Sequence, residues 1–258
     1  MTGVIRIVQR NALVYRHTWR GSLFASFLQP LLYLVAMGVG LGSLIDRGGG
    51  TTLLPAGRSF LEFLAPGLLA AACMQTATFE STWPVNGKMQ WRHIYQAMTA
   101  TPIRVRDVVL GELAWIAVRL TTVAVAFTVA MTALGVPRSG SAVLAIMAAV
   151  LTGLAFSAPL LAYAATMKRA DSFNVVYRFI ITPLFLFSGV FFPVTRLPET
   201  LQPVAWLTPL FHGVELVRGL RLGTLGFTDG LVHVAYLTAM LTGGVFAAVL
   251  GFTRKLRA

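Results

Sequence analysis

The stretch from Ser22 to Ile45 carries no charged residue, and five further long apolar stretches follow it along the chain. A hydrocarbon core of about 30 Å is crossed by roughly 20 apolar residues in helical form. In lipid, only helices and closed barrels satisfy their own backbone hydrogen bonds. The pattern therefore predicts an all-α polytopic membrane protein, a single transmembrane domain over 1–258. The expected spans are 22–45, 63–80, 108–134, 141–167, 179–195 and 230–253. Composition points the same way, since 56% of residues are hydrophobic and 12% charged, against about half and about a quarter in a soluble domain. Those proportions exclude a disordered chain and most soluble single-domain enzymes.

Lys and Arg outnumber Asp and Glu by 21 to 9. In a soluble domain that excess would suggest nucleic acid. Here the basic residues sit between apolar runs, where topology and anionic headgroups explain them, so no nucleic-acid partner is expected. With the N-terminus inside, only Arg47, Arg58, Arg138, Arg196, Arg218 and Arg221 fall outside, and Arg119 lies within a span. The positive-inside rule then places both termini in the cytoplasm. The first 21 residues add an amphipathic pattern. Arg6, Arg10, Arg16 and Arg20 share one face of a helical wheel, while Val4, Val8, Tyr15 and Trp19 gather opposite. Such a helix is expected to lie on the inner leaflet with Arg toward the headgroups.

Thr200–Val214 is apolar but short, and is broken by Pro203 and Pro209. The segment 196–229 reads as an external re-entrant hairpin, because irregular backbone at membrane depth has to be covered by protein or a watered cavity.

Catalytic signatures are missing. A phosphate-binding loop needs Gly-Lys followed by Ser or Thr, and Gly87-Lys88 is followed by Met89. No G-x-S-x-G elbow occurs. The four histidines have no metal-ligand spacing, and one cysteine, Cys73, excludes a disulfide framework. No metal and no catalytic residue is expected. Ionisable groups inside spans are the usual functional pointer. Glu80 closes the second span, and Glu112 and Arg119 lie two turns apart in the third. They leave open a proton-coupled secondary transporter as the alternative reading.

The inner loop, 84–107, is generous for a connection. Trp91, Ile94, Tyr95 and Met98 follow helical spacing and predict a short amphipathic helix ended at Thr101-Pro102. Such a ridge suits docking of a soluble partner; packing back onto the spans is the other reading.

Beyond the fifth span, Ser188-Gly189, Phe192-Pro193, Leu197-Pro198, Leu201, Pro209-Leu210, His212, Glu215 and Arg218-Gly219 form a pattern. It resembles the type-2 integral membrane subunits of ATP-binding-cassette exporters. Ala100-Thr101-Pro102, with Leu110-Gly111-Glu112 and Trp115 beyond, looks like the branch that exports nodulation lipo-oligosaccharides. The resemblance implies two membrane subunits, expected as a homodimer, working with two separate ATPase subunits that bind ATP and Mg. No cofactor is then expected in this chain. The inner loop would couple to the ATPase through Trp91, Arg92, Ile94, Tyr95, Met98, Thr101 and Pro102. The N-terminal helix would flank that contact. The hairpin would gate the outer side through Phe191, Phe192, Pro193, His212, Glu215 and Arg218. A lipid-linked, glycan or amphipathic cargo is implied, its identity left open.

Overall fold

The computed structural model describes residues 2–43, 58–136, 142–167 and 169–257. Ile45 and Ser141 of the expected spans, and Arg47, Arg138 and Lys168 of the charge pattern, lie outside the described residues, as do the side chains of Trp19 and Arg20. The described residues form helices joined by turns. Helix α1 runs over Thr2–Tyr33 and continues as a wider π-helical stretch, Leu34–Leu41. It is followed by α2 (Phe60–Trp91), α3 (Ile94–Thr99), α4 (Val105–Ala133) and α5 (Ala142–Thr166). Then come α6 (Ser172–Phe187), α7 (Gln202–Trp206), α8 (Pro209–Leu222) and α9 (Phe227–Arg257). Among the described residues, α2, α4, α5 and α9 are long and apolar enough to cross a membrane.

The helix ends follow from local chemistry. The Ser59 hydroxyl accepts from the Glu62 N–H at the start of α2, and Thr208 does the same for Phe211 ahead of Pro209 in α8. These caps satisfy N–H groups that a helix cannot pair internally. Gly223 closes α8 with φ +67°, a conformation that glycine enters without steric cost. At the end of α2, His93 takes φ +46°, a region few side-chain-bearing residues adopt. That kink separates Trp91 from α3.

Three boundaries differ from expectation. The inner loop was expected to start at 84, but α2 continues helical to Trp91, so only 92–104 connects α2 to α4. The fifth span was expected over 179–195. Helix α6 instead begins at Ser172 and stops at Phe187, because Gly189 turns the chain with φ +81° and Pro193 is extended. At the N-terminus, α1 passes residue 21 without a break, where a separate surface helix was expected.

Two apolar clusters fill the bundle. The larger joins α2, α4, α5 and α8, through residues such as Leu69, Phe127, Ala149 and Val214. The second gathers Ile7 of α1, Met89 of α2, Tyr95 of α3, Leu161 of α5, Phe173 of α6 and Phe252 of α9. Helix α8 is lodged inside the bundle. A side chain at Gly213 would run into Thr152 of α5, and one at Gly67 of α2 would meet the Val190 backbone at 3.1 Å. Past the end of α1, Gly38 in the π-helical stretch and Gly42 just after it lie against Leu61 and Phe60 of α2, a small-xxx-small approach that brings helices close.

Among the described glycines, the tightest approach to backbone joins α9 to α5, where a side chain at Gly244 would reach the Pro159 backbone nitrogen at 2.6 Å. Proline fixes that backbone, so nothing there can yield. Gly244→Ala is expected to destabilise the fold by about 1–3 kcal/mol through overpacking. The neighbouring Gly243 faces open space, and Gly243→Ala is expected to be neutral or stabilising. Thermal unfolding of the two variants in detergent separates these outcomes.

Candidate functional site

The polar residues of the bundle form three layers and one exposed face. The first layer lies where α1, α2 and α4 meet. Lys88 Nζ donates to both oxygens of Glu112, at 2.8 and 2.9 Å, and to Asn11 Oδ1 at 3.2 Å. Asn11 Nδ2 donates to Glu112 at 3.3 Å. Glu112 and Asn11 are both buried, so this network satisfies groups that burial would otherwise penalise.

The second layer is built on Arg119, the middle of α4, which is 1% exposed. Its Nε donates to Glu80 Oε1 of α2 at 3.1 Å. Nη1 donates to the Tyr15 hydroxyl of α1, and the guanidinium lies 4.3 Å from the Tyr15 ring centre. Glu112 and Arg119, two turns apart on one helix, thus pair with other helices rather than with each other. Glu112 and Glu80 are each paired with a cation on a neighbouring helix.

Both layers use one stripe of α1. Gly3, Ile7, Asn11 and Tyr15 recur every fourth residue and meet Asp107, Gly111, Glu112 and Trp115 of α4. This is the side opposite the arginines, as the helical wheel divides them. Arg6 and Arg16 are exposed and Arg10 is half-buried, donating to Asn11. Of the apolar side read from the wheel, Tyr15 belongs to this stripe, while Val4 and Val8 are half-buried.

The third layer lies at α8. Arg218 is buried and donates to Glu215 at 2.7 Å, to the Gly189 carbonyl at 2.7 Å and to the Phe63 carbonyl at 3.2 Å. Its guanidinium covers the Phe63 ring at 3.8 Å. These contacts hold the turn after α6 against α2. Beside them opens a cavity of about 440 Å³, lined among others by Pro193, Trp206, Phe211, Glu215, Asp229 and His233. Phe191 and Phe192 are half-buried, with Phe191 edge-on to Phe185. His212 joins His233 of α9 ring to ring.

The expected coupling ridge is divided. Trp91 is 75% exposed, and Arg92, Thr101 and Pro102 are also exposed. Tyr95, by contrast, is 0% exposed and packs on Phe252 of α9 at 5.5 Å. Ile94 and Met98 are half-buried. Helix α3 therefore turns Tyr95 inward and Ala97 outward, and Arg92 and Ala100 at its two ends are exposed as well. Gln96 reinforces the seat by donating to the Met89 carbonyl at 3.2 Å. Among the described residues, no group of three or more His, Cys, Asp or Glu is placed to hold a metal ion.

Sequence reading missed Lys88, Asn11 and Tyr15 as partners of the buried charges. The four-residue repeat of Gly3, Ile7, Asn11 and Tyr15 was the available signal. Removing one partner of a buried pair strands the other charge, at a cost of roughly 3–5 kcal/mol. Glu80→Ala is expected to show a loss of that order, and adding Arg119→Met is expected to recover part of it. A double-mutant cycle on thermal unfolding tests the coupling, and additive losses would contradict it.

Comparison with known proteins places these features in a family. The sequence pattern of the ABC-2 type transporter matches residues 2–222. The chain is 34% identical over 252 residues to nodulation protein J of Rhizobium leguminosarum bv. trifolii, covering 98% of this chain and 93% of that protein. To nodulation protein J of Rhizobium meliloti (strain 1021) it is 31% identical over 230 residues, covering 89% and 83%. The inner membrane transport permease YadH of Escherichia coli (strain K12) is 27% identical over 216 residues, covering 83% and 80%. The chain belongs to the ABC-2 type transporter family.

Proposed function

We propose that this membrane subunit is the permease of an exporter driven by ATP that a separate ATPase subunit binds and hydrolyses. The observation that carries the reading is a family match over residues 2–222 in a chain whose only Gly-Lys pair runs on into Met89. In this reading the energy comes from another chain, since the sequence offers no phosphate-binding loop to hold a nucleotide.

In this reading the chain crosses a bacterial inner membrane six times, with α1 and α6 joining the four long apolar helices, and both termini cytoplasmic. Two copies pair with two ATPase subunits, and ATP and Mg stay in the partner. The segment from Pro193 through α8 enters from the outside and returns, covered by α2, α5 and α9. The cargo is lipid-linked, glycan-type or amphipathic.

Residues 91–104 make the contact with the ATPase, and their surroundings support a transmitting role. Tyr95 is wedged against Phe252 of α9, and Gln96 holds the last turn of α2. Lys88 and Glu112 join α2 to α4 just beyond, with Asn11 of α1 in the same network. A push on α3 is therefore delivered to four helices rather than lost in a loop. Transport follows if the closed ATPase pair favours one access state of the membrane dimer over the other.

The test is co-expression with the ATPase subunit. The purified chain alone is expected to hydrolyse no ATP. Trp91→Glu combined with Arg92→Glu is expected to reduce recovery of the ATPase by at least about tenfold, as for loss of an exposed aromatic anchor. Unchanged recovery and unchanged ATP-dependent transport would remove residues 91–104 from the contact.

A further inference from the structure

The contact between His212 and His233 plays no part in the coupling route from α3. Nδ1 of His212, in the first turn of α8, lies 2.8 Å from Nδ1 of His233 in α9. One ring donates and the other accepts, so a single proton sits between the two nitrogens. The junction is reinforced from α9. Tyr236, three residues beyond His233, stacks on His212 at 4.0 Å and donates its hydroxyl to the Leu207 carbonyl at 2.6 Å. Phe211 is edge-on to both imidazoles. Helix α9 thereby holds the start of α8 and the chain entering it.

We propose that His212 and His233 form a proton-operated latch between α8 and α9, closed when the pair shares a proton and opened when both rings are protonated. The neutral pair makes one hydrogen bond. One added proton leaves that bond in place, because a doubly protonated ring still donates to a neutral one. A second added proton gives both Nδ1 atoms a hydrogen and both rings a charge. Two cationic donors cannot remain 2.8 Å apart, so the rings separate and α8 parts from α9. Histidine is the side chain suited to such a change between pH 5 and 8.

The charged groups around the pair shape this response. The acidic groups that act on His233 are Glu215 of α8 and Asp229 of α9. Glu215 is itself engaged by Arg218 at 2.7 Å, and Arg58 donates to the Leu222 carbonyl. Helix α5, which packs against α8 and α9, contains no Asp, Glu, Lys or Arg. His233, Phe211, Trp206 and Glu215 also line the cavity beside α8. Opening the latch therefore widens that cavity. On the topology proposed above, it does so from the outer side in response to external acid.

Hydrogen exchange of the full chain in lipid nanodiscs tests the latch. Exchange over 201–222, corrected for the intrinsic rate, is expected to rise at least about threefold between about pH 7.5 and about pH 5 in wild type, as local opening exposes amides. His212→Gln and His233→Gln each keep a hydrogen-bonding side chain that does not titrate, and each is expected to abolish the rise. An unchanged corrected rate in wild type would overturn the proposal, as would a rise that survives in either folded variant. If one variant fails to fold, the other and the wild-type profile still decide. The assay needs neither ATPase nor cargo, so its failure is distinct from failure of the exporter reading.

Discussion

A guanidinium inside an apolar bundle has to be met by partners from other elements, and the helices of this protein are arranged around that requirement. Arg119 draws Glu80 and Tyr15 to the middle of α4, which fixes α1 and α2 beside it. Arg218 does the same for α8, the turn after α6 and the start of α2. Ion pairs of this kind add little net stability over an apolar core, yet breaking one is costly. Their effect is on arrangement. Each charge accepts few alternative neighbours, so the helices are held in one register along the bundle.

Glycine completes the arrangement. Lipid offers no hydrophobic drive between helices, so close backbone approach matters more than in water. Gly111 admits Ile7, Gly153 admits Leu120, Gly213 admits Thr152 and Gly244 admits Pro159. These contacts tie α1, α4, α5, α8 and α9 into one body. The second apolar cluster then seats α3 on its end through Tyr95. A partner acting on residues 91–104 meets a packed surface whose movement carries to α1, α2, α4 and α9 together.

Much of this was legible in the sequence because lipid reduces the signal to runs without charge. Four long helices follow from those runs. The division of the N-terminal helix into an arginine side and an apolar side was also readable. The contact with α4 was not, since it is made by Gly3, Ile7, Asn11 and Tyr15, a stripe that shares only Tyr15 with that apolar side. The pairing of Glu112 with Lys88 was hidden for a related reason: Lys88 was assigned to an inner loop, whereas α2 stays helical to Trp91. The ridge of Trp91, Ile94, Tyr95 and Met98 failed at one backbone angle, the positive φ of His93, which turns Tyr95 inward. Short-range patterns do not report such a kink. The end of α6 at Gly189 escaped for the same reason. The glycine pair Gly38 and Gly42, by contrast, stands in the sequence at a spacing of four.

The central claim is that the exposed face around α3 is where the ATPase subunit acts. Cys73 is buried, so an introduced surface cysteine is the reactive thiol of the described residues. Ala97→Cys places one on the exposed side of α3, and Val204→Cys places one on α7. Thiol cross-linking of each variant, co-expressed with the ATPase in membranes, is the direct measurement. The account predicts a product with the ATPase from position 97 and none from position 204. A product from position 204, or none from position 97 in an assembled complex, would contradict it.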